Sequence, residues 1–480
     1  MRFFVFLCFL LTSSWALMMV PSPSRKLLNP SWPVLPIAPY SQRKTLVTEV
    51  VPSEVWAFDQ LQGIVYVHVP VRMIVVKVEE GLLAYAPNAP TAECLEELRK
   101  LEAAHGEVKH VVLPTLGIEH KAFFGQFCLN FPEAQVWYTP GQYSFPVNFP
   151  DLNFLGLAKR AKELPRRGEL LPGIEVSTLG PIVPPGNGGF GETTLYHRKT
   201  RTLLVVDVVL KVPRKPPPIV TYDPRCTLFH ARDDVADVVS QDDKTIAKGW
   251  RRLALFAFFF QPAALDVVPV PECVFQARRS CGMKNQFGWF DLFPFEWNAK
   301  QADKSFETIA RPKLFVAPIL QELILNRKPN DVLDWLDDVV DRFNFVRIVP
   351  CHLAPSIAAS PNDLKSAFAF LFRGTSGGSQ FEEDDLQALR DFEVGLIKDG
   401  AIFPRPTAKP DPPSLRKQRR KEEKKKLQRR KEEKKKLQRR KAEEEDDSPL
   451  GSSSSGRRRR KKKGGWPARL FSSFIVPRRR

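Results

Sequence analysis

The chain has 480 residues, with 73 Lys and Arg against 54 Asp and Glu, for a formal net charge of +19. The excess is local: residues 415–480 hold 28 basic and 9 acidic residues, leaving 45 of each sign in residues 1–414. A body neutral by count excludes reading the folded part as a nucleic-acid binder from its charge, and its length suits one large domain with extensions, or two domains. Seven cysteines (Cys8, Cys94, Cys128, Cys226, Cys273, Cys281, Cys351) form no CxxC pair. That excludes zinc-finger and thioredoxin patterns; buried free thiols are expected, with disulfides as the alternative.

Residues 1–48 contain no Asp or Glu. Arg2 precedes an apolar run, Phe3 to Leu11, long enough for a signal peptide and too short to span a bilayer. Ser13, Ser14 and Ala16 offer small residues for cleavage, so residues 1–16 read as a signal peptide. Residues 17–48, rich in Ser, Pro and basic side chains, have the composition of a transit peptide. The junction TSSWAL resembles the ASAFAP type of algae with complex plastids, with Trp15 in place of the usual phenylalanine. Delivery to the plastid (chloroplast) is the expectation; the alternatives are secretion, an endomembrane location or a signal anchor extending to Val20.

The globular body, residues 49–404, opens with alternating β-branched runs at Val55–Phe58, Ile64–Val71, Met73–Val78 and Gly81–Ala86, the pattern of an antiparallel meander. Thr91 to His105 reads as a helix capped by Thr91, with Leu95, Leu98 and Leu101 on one face. A strand at 108–113 ends in the loop TLGIEH, which sets Glu119 and His120 beyond its carboxyl end. Phe123, Phe124, Phe127 and Cys128 follow at helical spacing, and Gln135–Tyr138 reads as the next strand. Strand ends of this kind are where ligands bind in open α/β sheets.

A basic helix is expected around Leu157 to Leu164. Gly173–Leu179 is a strand, and GNGGFG (186–191) is a turn without the Lys-Ser/Thr of a phosphate loop. A hairpin follows, Thr193–His197 and Thr202–Leu210. Its second strand, TLLVVDVVL, carries one carboxylate, Asp207, in an apolar run. Such a group needs a metal or other partner, or hydrogen bonds from backbone N–H groups, and the pattern leaves both open. Residues 211–247 read as an irregular insertion, Trp250–Phe260 and Lys313–Leu325 as apolar helices, and Asp331–Phe343 as an amphipathic helix. Phe287 to Trp297 is aromatic without a period. Strand 345–349 ends at Pro350-Cys351-His352, where a lone histidine serves structure more often than ligation.

From residue 405 the chain is Pro-rich and then repetitive, with LQRRKEEKKK (427–436) followed by LQRRKAEEED (437–446). Leucines ten residues apart drift around a helix and build no coiled-coil seam. Ser452–Ser455 is a spacer and Arg457–Lys463 a run of seven cations. A disordered, solvated basic tail is expected; the alternative is non-specific contact with RNA or anionic lipid.

HVVLPTLGIEHKAFFGQF, FPEAQVWYTPGQYSFPVN, TLYHRKTRTLLVVDVVLKVPR, KGW (248–250) and RIVPCHLAPSI occur in order over most of residues 50–358. In these words the chain resembles the family known as domain of unknown function 4336 (DUF4336), in its plant and algal plastid form. The resemblance implies an α/β fold, an αββα sandwich like that of the metallo-β-lactamase-like metallohydrolases. Those enzymes bind two metals through HxHxDH, a bridging Asp and further histidines. Laid on this chain, the motif's first two histidines become Thr115 and Gly117, its Asp becomes Glu119 and its last His is His120. The bridging Asp falls on Asp207 and the final His on His352.

The resemblance therefore implies one divalent metal (Zn, Fe or Mn) held by Glu119, His120, Asp207 and His352, with Asp207 also catalytic and half of the binuclear site missing. Three functions stand open. One is a single-metal hydrolase acting on an unknown small molecule. Another is a catalytically inactive binding or scaffold protein of the plastid. The third is an RNA or membrane-surface adaptor driven by the tail.

Overall fold

The computed structural model describes residues 43–64, 67–143, 160–182, 189–277, 292–373 and 380–422, together with 425, 429 and 432. The leader up to residue 42, residues 186–188 of the glycine-rich turn, residues 287–291 of the aromatic stretch, and the tail's spacer and seven-cation run lie outside the described residues. One compact unit ends at Arg416, and Lys417–Arg480 form a second.

Among the described residues, seven strands make the first sheet, in sequence order. They are β1 (Leu46–Val51), β2 (Val55–Ile64), β3 (Val67–Val78), β4 (Gly81–Tyr85), β5 (Val108–Leu113), β6 (Gln135–Tyr138) and β7 (Ala161–Glu163). β1 to β4 form the expected antiparallel meander, and β4 to β7 run parallel. The second sheet is ordered β15-β14-β11-β10-β9-β8. Its strands are β8 (Arg167–Leu171), β9 (Ile174–Ile182), β10 (Phe190–His197), β11 (Thr202–Val205), β14 (Arg347–Pro350) and β15 (Ile357–Ala358). β11 and β14 are parallel neighbours, with Val205 opposite Pro350. A separate antiparallel pair joins β12 (Leu265–Val267) to β13 (Phe295–Trp297).

The helices are α1 (Ala92–His105), α2 (Ile118–Lys121), α3 (Phe124–Leu129), α4 (Arg225–Ala231), α5 (Asp243–Phe259), α6 (Val270–Ala277), α7 (Ala299–Ala310), α8 (Pro318–Leu323), α9 (Pro329–Arg342), α10 (Pro361–Ala367), α11 (Phe370–Arg373) and α12 (Glu383–Lys398). Thr91 caps α1 as expected, its Oγ1 accepting from Cys94 N at 3.2 Å.

Period-two alternation sorts the strand side chains into layers. Phe58, Met73, Val75, Leu82, Val111 and Leu113 pack on α1 and α3 through Cys94, Leu98, Phe124 and Phe127. Their neighbours Ile74, Val76, Leu83, Tyr85 and Val112 face the second sheet, meeting Val176, Leu195, Leu204, Val206 and Val349. Leu203, Val205 and Ile348 point the other way, onto Leu253, Phe306, Leu320, Val332, Leu336 and Leu386 of the second helical layer. Each such side chain contributes ~1.5–3 kcal/mol on burial. Helix, sheet, sheet, helix is the αββα sandwich, and its layers meet across the three largest apolar cores among the described residues.

The helical layer packs closely at α4 and α5. A Cβ on Gly249 would lie 1.7 Å from the Thr227 carbonyl oxygen, so only glycine lets these backbones meet. Trp250, next in the chain, donates its Nε1–H to Pro213 O at 2.9 Å. Close to the C-terminal end of the unit's sequence, Arg405 bridges Glu322 on α8 and Glu393 on α12, at 2.6 and 2.5 Å. Arg416 pairs with Asp337 on α9 at 3.2 Å.

Several expectations change. Residues 161–163 are not helical but form β7, which pairs with β6. Ile64–Val71 and Met73–Val78 are not two strands with a break: Val67–Val78 is one 12-residue strand, because Arg72 stays in the ladder opposite Asp59. The strand expected over 202–210 ends at Val205. The insertion 211–247 contains α4 and the start of α5, and the helix expected over 313–325 shrinks to α8 because Phe315 is drawn into a bridge with Leu210. The described cysteines (Cys94, Cys128, Cys226, Cys273, Cys351) are buried free thiols.

Candidate metal centre

β11 and β14 lie side by side and end together, so the residues just past them, Asp207 and His352, meet at one edge of the second sheet. The first sheet contributes the loop after β5. Thr193 N donates to Pro114 O at 2.7 Å and Leu116 N to Gly191 O at 2.9 Å, tying that loop to the start of β10. β10 is antiparallel to β11, so its start adjoins the end of β11. The topology alone brings three strand ends to one place.

Glu119, His120, Asp207 and His352 converge there, each offering one ligand atom, and the four atoms lie within 4.8 Å of one another. His120 Nε2 is 3.1 Å from His352 Nε2, and His352 Nε2 is 3.2 Å from Asp207 Oδ1. Two ligands at ~2.0–2.2 Å on one tetrahedral zinc stand ~3.3–3.6 Å apart, close to these separations. The histidines are buried and the two carboxylates half-buried, so the centre opens on its carboxylate side.

Hydrogen bonding assigns the His352 tautomer. Its Nδ1 lies 2.8 Å from Pro70 O, which can only accept, so Nδ1 carries the proton and Nε2 presents a lone pair to the centre. Burial lowers the pKa of both imidazoles; the charge of Glu119 and the hydrogen bond to Pro70 O pull His352 part of the way back up, and the charge of His352 pushes His120 further down. Burial, then the charge of Glu119, raises the Asp207 carboxyl well above the usual range. Two neutral imidazoles and two crowded carboxylates form a donor set that holds a proton when no cation is there and fits a divalent one.

The side chains at the missing half-site have other work. Thr115 Oγ1 accepts from Gly117 N at 3.0 Å. A Cβ on Gly117 would fall 2.5 Å from Glu119 Oε1, so the glycine leaves the space that the longer glutamate occupies. Glu119 is also held through its backbone, its carbonyl accepting from Gln62 Nε2 at 3.0 Å.

Sequence reasoning missed two residues beside the centre. Glu192 is buried on β10, and its carboxylate accepts from the backbone N–H groups of Val206, Asp207 and Val208 at 2.7, 2.8 and 3.0 Å. These bonds take the place of the β-ladder and end β11 at Val205. The backbone-bound carboxylate left open for Asp207 is therefore Glu192. Burial, reinforced by Asp207, pushes its carboxyl up to about 8 against the pull of those three donors. Lys121, buried and within reach of the charge of Glu119, donates to Tyr143 O at 2.8 Å and lies 3.4 Å from that ring's centroid; burial brings its pKa down to about 7. An acidic residue alone in the apolar word GFGETTLY was the available signal for Glu192.

The family model described as domain of unknown function (DUF4336) matches residues 52–370. Among solved structures, the metallo-β-lactamase DIM-1 exposed to ceftazidime aligns at 11% identity over 68% of this chain and 96% of its own, with a TM-score of 0.31. A metallo-β-lactamase from Hirschia baltica aligns at 8% identity over 68% and 97%, TM-score 0.33. The Flv1 flavodiiron core from Synechocystis aligns at 10% identity over 69% and 62%, TM-score 0.34. No curated protein matches the chain. Likenesses at these TM-scores are loose, and the αββα layering rests on this chain's own cores.

Proposed function

We propose that this chain, which belongs to the DUF4336 family, is a single-metal hydrolase. The observation that carries the reading is the convergence of Glu119, His120, Asp207 and His352 within 4.8 Å at the meeting of three strand ends. His120 and His352 would hold the ion through Nε2, and Glu119 and Asp207 through one carboxylate oxygen each. Zinc, iron or manganese suits such mixed N/O ligation. A bound divalent ion supplies Lewis acidity toward a water molecule and toward a carbonyl or phosphoryl oxygen. Asp207, on the open side of the centre, orients the water and takes up its proton at Oδ. Pro70 O fixes the His352 ring, and Glu192 fixes the turn that carries Asp207.

The test is metal analysis of the purified protein together with its thermal unfolding. About one zinc, iron or manganese per chain, with stability lost on chelation, is expected. Absence of stoichiometric metal together with indifference to chelators would remove the hydrolase. The second reading, a binding or scaffold protein that has lost catalysis, is favoured by Thr115 and Gly117, which offer no imidazole for a second metal.

The location is proposed from the leader. Residues 1–48 fused to a fluorescent reporter should enter the plastid, and Phe6→Asp with Leu7→Asp should block entry; nuclear accumulation of the full chain would argue against it. The basic tail is proposed to touch RNA or anionic lipid by charge alone. Among the described residues no helix is long and apolar enough to cross a membrane.

A further inference from the structure

His352 sits on a stretch without regular structure between β14 and β15. The next residue, Leu353, has φ +59°, a left-handed conformation that a side chain disfavours and surroundings must impose. The carbonyls around it are satisfied from elsewhere in the chain. Arg72 Nη1 donates to Pro350 O at 2.6 Å and to Ala354 O at 3.1 Å, and its Nη2 donates to Leu353 O at 2.9 Å. Arg72 is 1% exposed, and the same Nη2 lies 2.8 Å from Asp59 Oδ1, directly across the β2–β3 ladder.

Two residues before Arg72 on the same strand, Pro70 O accepts the hydrogen bond from His352 Nδ1–H. β3 thus grips the loop by its backbone and the ring by its far nitrogen. A guanidinium is the side chain that can do the first, since it presents several donors in a fixed plane.

We propose that Arg72, anchored by Asp59, is a positioning residue for His352: it holds the 350–354 loop so that Nε2 faces the centre. The inference rests on the metal reading for its purpose but not for its main readout. Arg252 provides the control. It is 2% exposed and donates to three successive carbonyls, His230, Ala231 and Arg232, at 3.3, 3.4 and 2.9 Å, and to Asp233 at 2.6 Å. Its bonds all go to the end of α4 and the residues after it, and none to the candidate centre.

The experiment compares the full chain, labelled with 15N-histidine, with Arg72→Gln combined with Asp59→Asn, a pair that leaves no buried charge alone. Arg72→Lys, which keeps the cation and offers a single nitrogen to the loop, is the milder variant, and Arg252→Lys the control. The protected Nδ1–H resonance of His352 is expected in the wild type and in the Arg252 variant. It should be lost in the double variant and exchange faster in Arg72→Lys. With Co2+ alone as probe, visible absorption should titrate ~10–100-fold more weakly in the Arg72 variants than in the wild type and the control.

An unchanged His352 resonance and Co2+ titration in a folded Arg72 variant would overturn the proposal while leaving the metal reading intact. If the wild type binds no Co2+, the metal reading fails; loss of the His352 resonance confined to the Arg72 variants then still supports the positioning role.

Discussion

Replacing Gly117 by alanine tests the centre with the smallest addition of mass. Gly117 has φ −55° and ψ 134°, which alanine adopts freely, so the backbone does not resist. The new Cβ would lie 2.5 Å from Glu119 Oε1, 3.0 Å from its Cδ and 3.3 Å from Oε2. Relief requires the carboxylate to retreat by ~1 Å, several times the ~0.2 Å tolerance of a metal–ligand bond. The obstacle is the end of a flexible side chain, so the fold adjusts while the ligand set loses a member. Metal affinity should fall ~10–100-fold, equivalent to ~1.4–2.7 kcal/mol. The chelated protein should unfold at nearly the wild-type temperature, since Gly→Ala at a compatible site gains ~0.4–1 kcal/mol through the unfolded chain. Competition titration of Zn2+ against a chromophoric chelator, with thermal unfolding in EDTA, measures both. Wild-type affinity in the alanine variant would refute Glu119 as a ligand.

Gly249→Ala should do the opposite, destabilising the fold by ~3 kcal/mol or more because a Cβ 1.7 Å from Thr227 O forces α4 and α5 apart; urea unfolding measures it, and wild-type stability would contradict the packing. His197, buried and 2.9 Å from Thr200 Oγ1 through Nδ1, has its pKa brought down to about 4 by burial. Its folded-state pKa lies below the ~6.5 of the unfolded chain, so its contribution is intact above pH ~6.5 and lost as pH falls toward ~4, by ~3 kcal/mol in all. His197→Gln should therefore lose less stability than the wild type over that window, and parallel pH profiles would refute the assignment. Deleting residues 417–480 should leave the unfolding of the remaining unit unchanged and abolish salt-sensitive binding to RNA or anionic vesicles; salt-sensitive binding that persists would place the contact outside the tail.

Legibility in the sequence followed the range of the interactions involved. Apolar runs broken by proline or turn residues marked the ends of β5 and β14, and an acid in an apolar run marked the neighbourhood of the end of β11. Those local signals set Glu119, His120, Asp207 and His352 at strand ends, while their union as one ligand set and the αββα layering came from the resemblance to the DUF4336 family; hydrophobic alternation states only which face of a strand is buried. It could not state how far β11 extends. TLLVVDVVL is apolar throughout, and its strand stops at Val205 because Glu192, fifteen residues before Asp207, takes the backbone donors that would have continued the ladder. Nor could it show that Gly117 vacates the volume Glu119 fills, or that Arg72 satisfies carbonyls some 280 residues away. In one dimension, Arg72 is a polar residue in a strand, indistinguishable from a position facing water, and Glu192, though alone in an apolar word, gives no sign of which donors it meets. Composition and period encode which side chains leave water. Which buried polar group meets which depends on strand order and crossover, and the folded chain alone sets those.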